Sequence, residues 1–200
     1  YICLDEVLAQ KKIEEYQPQV IFITHVETST GIMLPEEYIQ KITQKARQYN
    51  GLVIIDAIAS GNVWLNMKEL DIDILLTAPQ KGLSAHAGCA ILLLNETARN
   101  RLPETKSASL SLDLREWMKV MEWFEGRDFA YHTTLPTDVL LSLRDSLREI
   151  VKYGINEAKE SQQEMGRTIR GVLEERGFAS VAAEGFEAPS VVVHFADDPA

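Results

Sequence analysis

The stretch "LVIIDAIASG", residues 52–61, decides the fold of this chain. Four aliphatic residues, Leu52 to Ile55, run without a polar break and end on Asp56. A short continuous apolar run of this kind fits a strand covered on both faces, the usual state of a strand in a parallel sheet. Asp56 then stands partly buried at the carboxyl end, and Ala57 to Gly61 form a small-residue loop. Such an aspartate has two readings: a turn or capping carboxylate, or a fixed negative charge facing a cationic ligand atom.

Similar runs lie on either side. "QVIFITHVE" (19–27) opens as a buried strand, "DILLTA" (73–78) makes a third and "CAILLLN" (89–95) a fourth, with Cys89 as core. Helices fall between and around them. Residues 4–16 carry Leu4, Val7, Leu8, Ile13 and Tyr16 near helical spacing. Pro35, Glu36 and Glu37 open a second helix, which Tyr38, Ile39, Ile42, Ala46 and Tyr49 carry to an Asn50-Gly51 stop. Strands alternating with helices predict an α/β architecture with a mainly parallel sheet.

Residues 100–130 read as irregular turns. "PTDVLLSLRDSLREIVKYG" (136–154) predicts a helix entered by Pro136 and ended by Gly154, and 155–177 predicts another ended by Gly177. "SVVVHFA" (190–196) reads as a strand. These late elements look like the start of a second, smaller α/β unit.

Composition narrows the function classes. The 200 residues, 46% hydrophobic and 25% charged, are those of an ordinary globular chain able to bury a core. The net charge of −10 argues against nucleic acid or an anionic membrane as the main partner. No apolar run approaches the ~20 residues of a membrane helix. The two cysteines, Cys3 and Cys89, form no disulfide framework or zinc pattern. The chain therefore reads as cytoplasmic, with an organelle such as the peroxisome also open. It starts without Met and stops just after a strand-like segment, so both ends read as cut from a longer polypeptide.

Parallel sheets gather their sites at the carboxyl ends of strands. Three loops follow the first three runs: His25 to Gly31, Asp56 to Gly61, and Thr77 to Gly82 with Lys81. Lys81 lies one strand-helix-strand unit beyond Asp56. By itself it reads as a surface amine. At a partly desolvated strand end its charged form would be disfavoured and the amine would become nucleophilic, able to form a Schiff base with a carbonyl. Lysine and aspartate together match the needs of pyridoxal phosphate, whose aldehyde takes an amine and whose ring nitrogen takes a carboxylate.

Four ordered segments, "THVETSTG", "VIIDAIAS", "PQKG" and "YHTTLP", resemble the class V aminotransferases of the fold-type I pyridoxal-phosphate enzymes. The nearest branch is the alanine–glyoxylate and serine–pyruvate or serine–glyoxylate aminotransferases. The resemblance spans roughly residues 19 to 175. It implies a large cofactor domain over residues 1–154 and the beginning of a small C-terminal domain over 155–200. It implies transamination between alanine or serine and glyoxylate or pyruvate through a Lys81 aldimine, with Lys81 also shuttling the proton. Asp56 would pair with the pyridinium nitrogen, and Ile58 would pack on the ring. Thr28 would bond near the phenolic oxygen, and Gln80 would contact the phosphate. Tyr131 and Thr134 would reach the phosphate across a homodimer interface. His25 and Glu27 belong to the first motif and read equally as loop braces or as direct participants. His86 and His132 read as structural.

The resemblance puts three parts outside this stretch: the Gly-rich phosphate turn, the aromatic that stacks on the ring, and the arginine that grips the substrate carboxylate. "SAHAG" lacks a proline usual in the family, which leaves the turn after Lys81 in question. Other readings stay open. A 2-aminoethylphosphonate–pyruvate aminotransferase has a similar first loop but tends to have Asn before its lysine. Cysteine desulfurases and selenocysteine lyases have histidine there, where this chain has Gln80. A non-catalytic paralogue would keep the fold alone.

Overall fold

The computed structural model of the chain describes residues 5–196. Cys3, Leu4 and the last four residues lie outside that range. Helix α1 (Glu6–Tyr16) is capped by Asp5, whose carboxylate accepts from the amides of Val7 and Leu8. It precedes β1 (Val20–Thr24), the short hairpin β2 (Val26–Glu27) and β3 (Ile32–Met33), and helix α2 (Glu36–Arg47). Then come β4 (Leu52–Asp56), β5 (Ile74–Thr77) and β6 (Ile91–Leu94). The remaining helices are α3 (Glu96–Arg101), α4 (Leu114–Glu125), α5 (Thr137–Tyr153) and α6 (Ile155–Glu174). No helix among the described residues is long and apolar enough to cross a membrane.

The sheet runs β1-β4-β5-β6, with β1 and β5 both parallel to β4. The fourth strand, β6, is antiparallel to β5. The sequence alone does not decide that direction, because the connection from β5 holds no helix.

Helix α2 covers one face. Its termini suit the helix dipole, with Glu36 and Glu37 in the first turn and Lys45 and Arg47 in the last. Tyr38, Ile39, Ile42 and Ala46 pack on Val53, Ile55, Ile72 and Leu75. Burying Ile39 and Ile42 stabilises by about 2 kcal/mol each. The opposite face carries a row in register across all four strands, Phe22, Ile54, Ile74 and Leu94. Full burial was expected for β1, but Phe22 is 59% exposed, since no described residue covers that edge of the face.

The amino ends of β4 and β5 are locked by a buried charge. Asp73, 0% exposed, accepts from both terminal nitrogens of Arg47 at 2.8 and 2.9 Å, from the Val53 amide at 2.7 Å and from Asn95 Nδ2 at 2.9 Å. Every lone pair facing the interior is used, which is the condition for tolerating a buried carboxylate.

Two sequence expectations change. Residues 114–125 form helix α4 rather than turns. Asp113 caps it through the Arg115 amide, and Val120 is its buried contact. Residues 190–196 do not make a regular strand. They meet residues 179–181 through the bridge Ser180–His194 and bonds linking Val181 to Val193 and Phe195 to Ala179.

Candidate active site

Three loops sit beyond the carboxyl ends of the parallel strands, and backbone bonds tie them together. The first leaves β1 at His25, whose amide donates to the Asp56 carbonyl at 2.9 Å. The Leu34 amide donates back to the His25 carbonyl, also at 2.9 Å, so the β2–β3 hairpin returns to its own base. At the tip, Glu27 Oε1 accepts from the Ser29 amide and hydroxyl at 3.0 and 2.9 Å. Those two donors hold the Glu27 carboxyl below its usual range. Glu27 is thus a brace for the turn, and Thr28 is exposed beside it.

The second loop starts at Asp56, half-buried at the last position of β4. Its Oδ1 accepts from the Ile58 amide at 2.9 Å, an Asx turn that fixes the carboxylate's direction. Oδ2 accepts nothing among the described residues. Ile58 is half-buried. The loop closes on buried Ser60, whose Oγ lies 2.7 Å from His25 Nδ1. His25 is itself 1% exposed. Burial lowers its pKa to about 4, helped by the charge of Lys159 and opposed by the Leu34 carbonyl, so the ring is neutral at neutral pH. His25 is therefore built into the loop framework.

The third loop carries Gln80 and Lys81. Its turn closes through the Ser84 amide on the Lys81 carbonyl and the Ala85 amide on the Pro79 carbonyl, each at 2.9 Å. Helix α5 supports it from behind: Ser142 Oγ accepts from the His86 amide at 3.2 Å, and Ser146 donates to the Leu83 carbonyl. These bonds make the turn without the proline that "SAHAG" lacks. Lys81 and Gln80 are exposed, and the Lys81 ammonium has no ion pair or hydrogen bond among the described residues. The partly buried position expected for Lys81 at this strand end is not what the fold gives, since the residue is exposed.

Glycines join the second loop to the third. Gly82 packs so tightly on Gly61 that a Cβ at position 82 would overlap the Gly61 carbonyl. Gly61 adopts φ +64°, which favours glycine, and Ser190 and Gln162 crowd its other side. Lys81 is thus chained to the Asp56 loop by backbone contact. A free amine and a carboxylate with one open oxygen lie at the ends of neighbouring parallel strands.

Tyr131 and Thr134 lie on the segment between α4 and α5. Their hydroxyls are 3.1 Å apart and both residues are exposed, Tyr131 at 69%. His132 is structural: Nε2 lies 2.7 Å from the Leu110 carbonyl and the ring meets Trp117 edge to face. His86 is an exposed loop residue, and half-buried Cys89 precedes β6 rather than sitting in it. The Ser60 contact was not anticipated. The alternation of "IDAIAS" gives no sign that its last residue turns back to His25.

Known proteins match the whole described region. The chain is 29% identical over 171 residues to the alanine–glyoxylate aminotransferase of Callithrix jacchus, covering 84% of this chain and 40% of that protein. It is 25% identical over 197 residues to the 2-aminoethylphosphonate–pyruvate transaminase of Klebsiella pneumoniae, covering 96% of this chain and 52% of that one. The chain thus spans about half the length of the curated relatives it matches. The crystal structure of an alanine–glyoxylate aminotransferase from Nostoc sp. superposes with a TM-score of 0.86 at 23% identity, covering 100% of this chain and 51% of the other. That likeness shows the fold, a mainly parallel sheet flanked by helices as in fold-type I aminotransferases. The model of the family described as aminotransferase class-V matches residues 3–196, and the chain belongs to that family.

Proposed function

We propose that the protein bearing this chain is a pyridoxal-phosphate-dependent aminotransferase acting between a small amino acid, alanine or serine, and a small 2-oxo acid, glyoxylate or pyruvate. The observation that carries this reading is the pairing of two open groups on loops in backbone contact: the free Lys81 amine and the unused Asp56 Oδ2. This donor set fits a group with an aldehyde at one end and a cationic ring nitrogen at the other. When bound, pyridoxal phosphate supplies that aldehyde and a protonated ring able to draw off the electrons left by deprotonation.

In this reading Lys81 Nζ would hold the cofactor through its aldehyde, and the same amine would move the proton at the substrate Cα. Asp56 Oδ2 would pair with the ring nitrogen and keep it protonated, while the Ile58 amide holds Oδ1. Ile58 would cover the ring, Thr28 would offer its hydroxyl near the phenolic oxygen, and Gln80 would contact the phosphate. Tyr131 and Thr134, already hydrogen-bonded to each other, reach the phosphate of the partner subunit in a homodimer. The exposed apolar neighbours Leu110, Leu112 and Phe129 support that surface as an interface. Residues 1–154 belong to the large domain of such a subunit and 155–200 begin the small one, with Gly154 between α5 and α6 as the junction.

Amino-group exchange tests the substrate class. Full-length protein with pyridoxal phosphate should convert alanine or serine plus glyoxylate or pyruvate to the exchanged pair. Turnover with 2-aminoethylphosphonate alone would favour the second reading, a 2-aminoethylphosphonate–pyruvate aminotransferase, which the Klebsiella relative supports by covering nearly all of this chain. No exchange with any of these donors would contradict both.

A further inference from the structure

We propose that the buried His25–Ser60 pair is a positioning device that holds the 56–61 loop closed and so fixes the Asp56 carboxylate relative to Lys81. The part of this inference that concerns the cofactor rests on the reading above.

His25 makes two ties to one loop. Its amide donates to the Asp56 carbonyl at 2.9 Å, and its Nδ1 meets Ser60 Oγ at 2.7 Å. Both side chains are buried, His25 at 1% and Ser60 at 3% exposure. A polar pair enclosed this far loses its water, and each member depends on the other to satisfy its hydrogen-bonding group. The pair therefore tolerates one arrangement of the loop and penalises others.

That arrangement bears on both open groups. Between the two ties lie Asp56 and the Ile58 amide that orients its carboxylate. Just past Ser60 lies Gly61, whose backbone seats Gly82 and so the lysine before it. Ser190 Oγ donates to the Ala59 carbonyl at 2.7 Å and holds the same loop from its outer side. With the Ser60 contact gone, the loop keeps its backbone ties to His25 and Leu76 and the Ser190 support but loses its buried side-chain anchor, and the Asp56 carboxylate is held less tightly relative to Lys81.

Asparagine places a polar atom where histidine has Nδ1, whereas glutamine places one nearer Nε2. The test uses Ser60→Ala, His25→Gln and His25→Asn in the full-length protein. Two readouts are needed. The first is amide hydrogen exchange without cofactor: Ser60→Ala and His25→Gln should speed exchange at Ile58 about fivefold or more, with β4 and β5 amides at wild-type rates. The second is the pyridoxal phosphate absorbance band with the cofactor bound. In those two variants the pH midpoint of the band should move and the dissociation constant should rise by about fivefold. His25→Asn should restore wild-type values for both readouts.

Wild-type Ile58 exchange in Ser60→Ala and His25→Gln would overturn the pin. So would a band midpoint and affinity unchanged in those variants, or an asparagine variant as perturbed as the glutamine one. If the wild-type protein binds no pyridoxal phosphate, the functional reading above fails, and the exchange rates still decide whether the pin holds the loop.

Discussion

Gly82 lies directly against Gly61, so closely that no side chain fits between the loop that carries Lys81 and the loop that begins at Asp56. The contact gives the Lys-Gly dipeptide a physical reason. A β-carbon at position 82 would have to displace backbone, which is stiffer than any side-chain tip. Gly82→Ala should therefore lower stability by about 1–3 kcal/mol and weaken binding of pyridoxal phosphate. Thermal unfolding and cofactor titration measure the two. An alanine variant with wild-type melting and affinity would mean that the two loops part easily.

Asp56 should matter for chemistry far more than for folding. It is half-buried, and among the described residues only one of its oxygens accepts a hydrogen bond. Asp56→Ala should slow transamination by on the order of 10²-fold or more while melting within a few degrees of wild type. Single-turnover kinetics with alanine would show the loss in the proton-transfer step. Near-normal turnover would contradict its role at the ring nitrogen.

At the other end of the sheet the balance reverses. Asp73 is enclosed and satisfies Arg47, Asn95 and the Val53 amide, whereas Asp71 meets Arg47 from an exposed position. Asp73→Ala leaves the buried Val53 amide without its acceptor and takes one of two carboxylates from the half-buried Arg47 guanidinium, and should cost about 1–3 kcal/mol. Asp71→Ala should cost under about 1 kcal/mol. Urea denaturation of both variants checks the contrast, and equal losses would contradict the burial argument.

His25 should make stability depend on pH. The native ring titrates at about 4, against 6.5 for an ordinary histidine. Above pH 6.5 neither folded nor unfolded chain binds this proton, and the full stability is present. As pH falls from 6.5 to 4 the unfolded chain takes the proton and the folded chain does not, so stability drops by about 3 kcal/mol in total. Below pH 4 this group adds no further loss. Urea midpoints between pH 7 and pH 5 should fall in the wild type and stay nearly flat in His25→Asn. A parallel fall in both proteins would assign the slope to other groups.

The sequence exposed the frame of the site well, and the reasons are local. "LVIID" and "DILLT" are short aliphatic runs ending on polar residues, so strand and strand end could both be read from them. Helix α2 announced itself through Pro35, its acids and Asn50-Gly51. Helix α4 was missed because Trp117, Met121, Trp123 and Phe124 spread apolar residues widely around the helix and hid its buried stripe. Asp113 and Glu116, spaced as a capping box, were the signal that could have found it. The direction of β6 and the His25–Ser60 contact depend on tertiary placement, which no local pattern encodes. Lys81 shows the same limit. Its position after β5 was legible, but its exposure depends on which way the 79–85 turn faces.

The central claim is that Lys81 is the residue that holds the cofactor. Full-length protein equilibrated with pyridoxal phosphate, reduced with borohydride and digested should yield one modified peptide, labelled at Lys81. A label on any other lysine, or no label at all, would contradict it.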